Sequence, residues 1–159
     1  MKPRRTIRLT GALLCGAGLA GCSDTDPSAP PEISYGVSVC ADCGMIISDE
    51  RYATALVVED DRGRPEALLF DDAGDQIIYE RENPTGTVLA RWVHDQQTHA
   101  WLPAESAWYI RAESLPTPMA SGIAAFAHKA DAERMAGELN GVVLTFEQLW
   151  FAPAPTPGP

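Results

Sequence analysis

A chain of 159 residues with 12 Lys and Arg against 22 Asp and Glu carries a formal charge of −10, which excludes the basic footprint that nucleic-acid binding needs. Its length suits one compact domain or two small lobes. Four cysteines, Cys15, Cys22, Cys40 and Cys43, have to be accounted for one by one before any of them is given chemistry.

Residues 1–21 read as an export signal. Lys2, Arg4, Arg5 and Arg8 precede LTGALLCGAGLA, an apolar run too short to span a bilayer and of the length of a signal-peptide core. The run closes on Leu19-Ala20-Gly21-Cys22, which resembles a bacterial lipobox. Cleavage before Cys22 and attachment of lipid to its sulfur would make Cys22 a membrane anchor. Cys15 leaves with the signal, so Cys40 and Cys43 are the thiols left for chemistry, in a compartment oxidising enough for a disulfide. Without the four basic residues of the signal, 8 Lys and Arg face 22 Asp and Glu, hence −14 for residues 22–159. Such a surface attracts cations or a basic partner. Residues 22–34 and 151–159 are Pro-rich and read as a linker and a tail around a folded unit at 35–150.

Within that unit, YATALVVEDDRGRPEALLF at 52–70 predicts a hairpin turning at 61–65. DDAGDQIIYERENP at 71–84 predicts a helix with an Asp cap and an Asn-Pro stop, and GTVLARWVHD at 86–95 a third strand by its alternation. The same order then recurs. AWYIRAES (107–114) and GIAAFAH (122–128) read as strands around the loop LPTPMAS, KADAERMAGELNG (129–141) as a helix, and VVLTFEQLW (142–150) as a strand and terminal turn. In both passes 18 positions separate the opening aromatic from the closing Phe, Tyr52 to Phe70 and Trp108 to Phe126. The expected fold is α+β, two small ββαβ lobes at about 35–95 and 105–150 related by internal duplication.

The chemistry concentrates at CADCGM, residues 40–45. One CxxC pair, with His94, His99 and His128 at no paired spacing, is a poor match for structural zinc. A redox CxxC sits at a helix N-terminus that lowers one thiol's pKa, whereas Gly44 and the strand-like Met45-Ile46-Ile47 follow here, with Asp42 opposing a thiolate. A plain Cys40–Cys43 disulfide stays open. Soft-metal binding fits the residue types better: thiolate and thioether donors select Cu(I), and Cys43 and Met45, two apart on an extended segment, would share a face. Met119, in the turn-rich TPMASG, offers a further thioether, while Met135 lies on an amphipathic stretch and reads as packing. His94 is an additional candidate donor, with Asp95 beside it to orient the ring; its alternative is an edge-strand histidine bonded to a neighbour.

The lipobox LAGC, CADCGM, LLFDDAGDQIIY, RWVHD, ESAWYIRAES and TPMASGIAAFAHKADAE, in that order, resemble the NosL family of copper lipoproteins, accessory proteins of nitrous oxide reductase. The resemblance runs from about Tyr35 to Leu149. It implies a periplasm-facing lipoprotein, and the residues themselves show no Ser-His-Asp or paired-carboxylate arrangement, so no enzyme activity is expected. Such a protein binds one Cu(I) and passes it on for assembly of the reductase's copper-sulfide centre, together with an ABC-type membrane transporter. It also implies two ββαβ lobes, and carries the ligand roles onto Cys43, Met45 and Met119, leaving Cys40 as an accessory thiol or disulfide partner. Ala120 departs from the pattern, which usually has Gly there. Copper delivery to another cuproprotein, or a thiol-disulfide oxidoreductase using Cys40 and Cys43, are the competing functions.

Overall fold

Alternating β-branched and apolar residues build the first sheet, and turn chemistry sets its register. The computed structural model describes residues 26–84 and 86–151. Strands β1 (Thr54–Glu59) and β2 (Pro65–Phe70) pair antiparallel from Thr54↔Phe70 to Glu59↔Pro65. The Asp60 carboxylate closes their turn by accepting from the Arg62 and Arg64 amides, each at 2.8 Å. Helix α1 (Ala73–Glu82) starts at Asp72, whose Oδ1 accepts from Gly74 N–H at 2.7 Å, an N-cap that satisfies one orphan donor. Strand β3 (Val88–His94) returns to the free edge of β1, and the short β4 (Trp101–Pro103) extends the sheet to the order β2-β1-β3-β4.

Strands β5 (Trp108–Arg111), β6 (Ile123–Phe126) and β7 (Val142–Thr145) form the second sheet, in the order β6-β5-β7. Helix α2 (Lys129–Leu139) links β6 to β7 and ends at Asn140 in the left-handed region. Helix α3 (Phe146–Trp150) opens with a Thr145–Gln148 capping box. The α+β fold matches the sequence reading, and in both units the first strand lies between the second and the third. Shared strand order is a statement about topology; the expected duplication is one about ancestry, which topology alone does not carry.

The units share a core. Ile77 of α1, Val93 of β3, Tyr109 of β5, Ile123 of β6 and Trp150 of α3 are buried in one cluster, each contributing roughly 1.5–3 kcal/mol by burial. Tyr109 donates its hydroxyl to Ala104 O at 2.7 Å, so its one polar atom is satisfied. Asp95 bridges to Ala125 in parallel fashion and accepts from Ala127 N–H at 2.9 Å, joining the end of β3 to β6.

Three features depart from the sequence reading. Strand β4 and a 3-10 turn at Ala104–Ser106 occupy the stretch between the lobes, where Pro103 confines the strand to a sheet edge. The expected terminal turn is helix α3. Residues 26–34, expected to be free linker, lie against the domain: Trp92 donates its indole N–H to Ser28 O at 2.9 Å, and Ile33 packs on the cluster of Cys40, Ile47, Leu56 and Phe70. Pro-rich chain without strand or helix is not thereby free: a turn at Asp26–Ala29, one apolar anchor and one hydrogen bond hold this one. The signal, Cys22 and the tail beyond Phe151 lie outside the described residues, among which no helix is long and apolar enough to cross a membrane.

Candidate metal site

CADCGM is a tight turn rather than an extended strand. Val39 bridges Ile46, Cys40 N–H donates to Met45 O at 2.8 Å, and Gly44 N–H donates to Cys40 O at 3.1 Å. Gly44 has φ +74 and open space where a Cβ would stand, so glycine is needed for its torsion and not for clearance. The expectation that Cys43 and Met45 share a strand face therefore fails, because a turn does not alternate its side chains. Ala41 N–H donates to Leu69 O at 2.8 Å, docking the turn on β2, and buried Ile47 anchors its far side.

That docking sets the turn over the start of α1, where three carboxylates have separate tasks. Asp71 faces Cys43, with Sγ 3.8 Å from Oδ1; Asp75 faces Cys40, with Sγ 3.6 Å from Oδ2. Asp72 caps the helix through Oδ1 and accepts from Met119 N–H at 3.2 Å through Oδ2. The donor atoms of Cys40, Cys43, Asp71 and Asp75 all lie within 4.8 Å of one another. Sequence reasoning took DDAGD for a helix start alone. The signal available was its density: one Asp suffices for a cap, and Asp71 and Asp75 are surplus to that need.

Both cysteines are free thiols. Burial pushes Cys40 up to about 12. Cys43 is raised as well, by burial first and then by Asp75 and Asp71. Asp75 is pushed up to about 6, again by burial first, with Asp71, Asp72 and Asp42 adding to it. The pocket thus holds protons on its thiols at neutral pH, the reverse of the lowered thiol a disulfide oxidoreductase depends on. A metal bound at sulfur has to displace them.

Met45 and Met119 are 53% and 37% exposed, Met45 at the end of the turn and Met119 tied through its amide to Asp72. Met119 rides on a turn in which Ala120 N–H donates to Thr117 O at 3.0 Å. Ser121 packs so closely on α1 that a Cβ at Gly74 would come within 2.6 Å of its own Cβ. Ala120 has φ 56, the left-handed region where a side chain costs about 1–2 kcal/mol. Ala120→Gly removes that cost and adds roughly 0.5–1 kcal/mol of unfolded-chain entropy. We expect a small net stabilisation, read as a higher urea midpoint at unchanged slope; a lower midpoint would contradict the strain.

Asp72 ties the Met119 turn to the start of α1. Asp72→Ser keeps a capping hydroxyl but is too short to hold the Met119 amide as well. The expected result is near-normal stability with faster hydrogen exchange at the Met119 amide. Unchanged exchange there would remove Asp72 from that role.

His94 lies apart from the thiols, buried among other partners. Its Nδ1 is 2.7 Å from Ala53 O, its Nε2 is 3.3 Å from the Tyr35 hydroxyl, and its ring lies 3.7 Å from Trp101, centroid to centroid. Asp95 does not orient it, as the sequence suggested, since that carboxylate is taken by Thr98 and Ala127. Burial lowers the His94 pKa. The neutral ring donates from Nδ1 to Ala53, and Nε2 accepts from Tyr35.

The NosL family profile matches residues 34–151. The copper-binding lipoprotein NosL of Stutzerimonas stutzeri is 29% identical over 150 residues, covering 87% of this chain and 77% of its own. The crystal structure of the copper chaperone NosL from Shewanella denitrificans superposes with a TM-score of 0.67 at 20% identity, over 77% of this chain and 96% of that one, a likeness of fold.

Proposed function

From the premise that this chain belongs to the NosL family, we propose that it is a lipid-anchored envelope carrier that takes one Cu(I) as cargo and surrenders it for assembly of the copper-sulfide centre of nitrous oxide reductase. Cys43 supplies the thiolate, Met45 and Met119 the thioethers, and the ABC-type transporter of the same system takes part in the handover. The observation that carries this reading is the gradient of exposure across the donors. Cys43 is half-buried against Asp71, while both methionine side chains open to solvent.

That gradient suits transfer. Thioethers need no deprotonation and hold Cu(I) more weakly than a thiolate, so a recipient displaces the exposed Met119 and Met45 first and reaches the sulfur of Cys43 last. Asp71 and Asp75 offer oxygen, a poor match for Cu(I), and the displaced thiol proton leaves to solvent. Each step is a ligand exchange without turnover of substrate, so the protein acts as a carrier and not an enzyme. Lipid on Cys22 holds it at an envelope membrane on the periplasmic side.

The test is an anaerobic Cu(I) titration against a competing chelator, followed by transfer to metal-free reductase in membranes containing the transporter. Met45→Ala and Met119→Ala should each weaken binding at least tenfold, and the loaded wild type should restore the reductase's copper-sulfide absorption. Wild-type affinity in both variants would sink the ligand set, and failure of transfer alone would sink the recipient.

A further inference from the structure

The copper reading leaves Cys40 without a task, a buried thiol 2% exposed and beside the one that binds metal. We propose that Cys40 and Cys43 form a redox-modification site, a reversible disulfide that closes only while no copper occupies Cys43. The inference rests on Cys43 being the copper thiolate and adds a state that the carrier enters after unloading.

Geometry and charge both point this way. The two sulfurs lie within 4.8 Å of each other, on a turn pinned at both ends by the Cys40–Met45 and Gly44–Cys40 hydrogen bonds. Closing it brings sulfurs already within 4.8 Å of each other to a bond of about 2.05 Å. Around the sulfurs stand Asp71 and Asp75, 2% and 4% exposed. None of the ion pairs among the described residues reaches either carboxylate.

Two metal-free states carry no charge on sulfur: the dithiol and the disulfide. Cu(I) on the Cys43 thiolate is also neutral, and it takes away the sulfur through which oxidation begins. Cys43 is the accessible member, so it reacts with an external oxidant; Cys40, enclosed behind it, resolves the adduct.

The oxidant is a low-molecular-weight disulfide, available in an oxidising envelope. The Cys43 thiolate attacks one of its sulfurs, forming a mixed disulfide and expelling one thiolate. Cys40 then attacks Cys43 Sγ, forming the Cys40–Cys43 bond and expelling the second. Two electrons pass to the external disulfide, and the two protons of Cys40 and Cys43 leave on the two expelled thiols. The exchange is followed over hours at pH 8.

The experiment incubates the mature lipoprotein anaerobically with oxidised glutathione, metal-free and Cu(I)-loaded, and reads the peptide containing residues 40–43 by mass spectrometry. The metal-free protein should lose two hydrogen atoms from that peptide and lose Cu(I) binding, and dithiothreitol should restore both. Loaded protein should keep both thiols, and Cys40→Ser should stop with one glutathionyl group on Cys43. Intact thiols in the metal-free wild type, or a wild-type adduct that Cys40 never resolves, overturns the proposal. Equal oxidation of loaded and empty protein overturns its exclusivity. A wild type that binds no Cu(I) before oxidation would instead refute the copper reading, a result recorded separately in the opening titration.

Discussion

Cys43→Ser should lower Cu(I) affinity by at least about a thousandfold, more than either methionine variant, while leaving the fold intact. The size follows from what the substitution removes. Cys43 is the charged donor of the proposed set, and a hydroxyl is both harder and far less acidic than a thiol, so Cu(I) loses its anionic ligand and keeps two neutral thioethers. A thousandfold change corresponds to about 4 kcal/mol. Folding should not suffer, because Cys43 is half-buried at the tip of a turn held by backbone bonds of its neighbours. Circular dichroism and the urea midpoint check that point, and the chelator competition reads the affinity. Serine at full affinity would move the cargo off Cys43 and undo the site.

Cys40→Ser serves as the contrast. The Cys40 side chain belongs to the cluster with Ile47, Leu56 and Phe70 while its sulfur faces Asp75, so serine loses the apolar packing of sulfur, keeps a carboxylate acceptor for its hydroxyl, and lowers stability by about 1 kcal/mol, with copper affinity close to wild type. The two cysteines of one CxxC thus separate by readout, one in binding and the other in stability.

How far these roles were legible in the sequence follows from the range of the interactions involved. Strands β1, β2 and β3 announce themselves through β-branched alternation and through the Asp60–Arg64 turn, both local signals, and α1 through its Asp cap. The geometry of CADCGM does not. Four consecutive residues after Cys40 read equally well as a strand or a turn, and the choice is made by Ala41 bonding to Leu69 and by Ile47 sinking into the core. The same holds for Asp71 and Asp75, whose proximity to sulfur depends on a turn 28 and 35 positions away in the chain. His94 shows the reverse error. Its neighbour in sequence, Asp95, was the natural orienting group, yet the strand register puts Ala53 O at Nδ1 instead. Ala120 was visible as a departure from the family pattern, and its positive φ gives the physical reason glycine suits that place.

Those raised thiols make the second large effect a dependence on pH. Cu(I) affinity should rise about tenfold per pH unit between pH 7 and 8.5. The sign is set by proton counting: burial keeps Cys43 protonated in the empty protein across this range, the bound form has lost that proton, and so binding releases one and is favoured as pH rises. Asp75, raised to about 6, is mostly ionised above pH 7 in the empty protein, so it adds to the slope only below that range. Cys40 decides the magnitude. Pushed up to about 12, it also carries its proton throughout. If it joined the metal, two protons would leave and the slope would be about a hundredfold per unit. Chelator competitions at half-unit steps, corrected for the chelator's own protonation, read the number directly. A slope of one keeps Cys40 out of the copper shell and free for the disulfide; a slope of two makes it a ligand; a flat profile means that no thiol proton is displaced and that copper is not bound by a thiolate in this pocket.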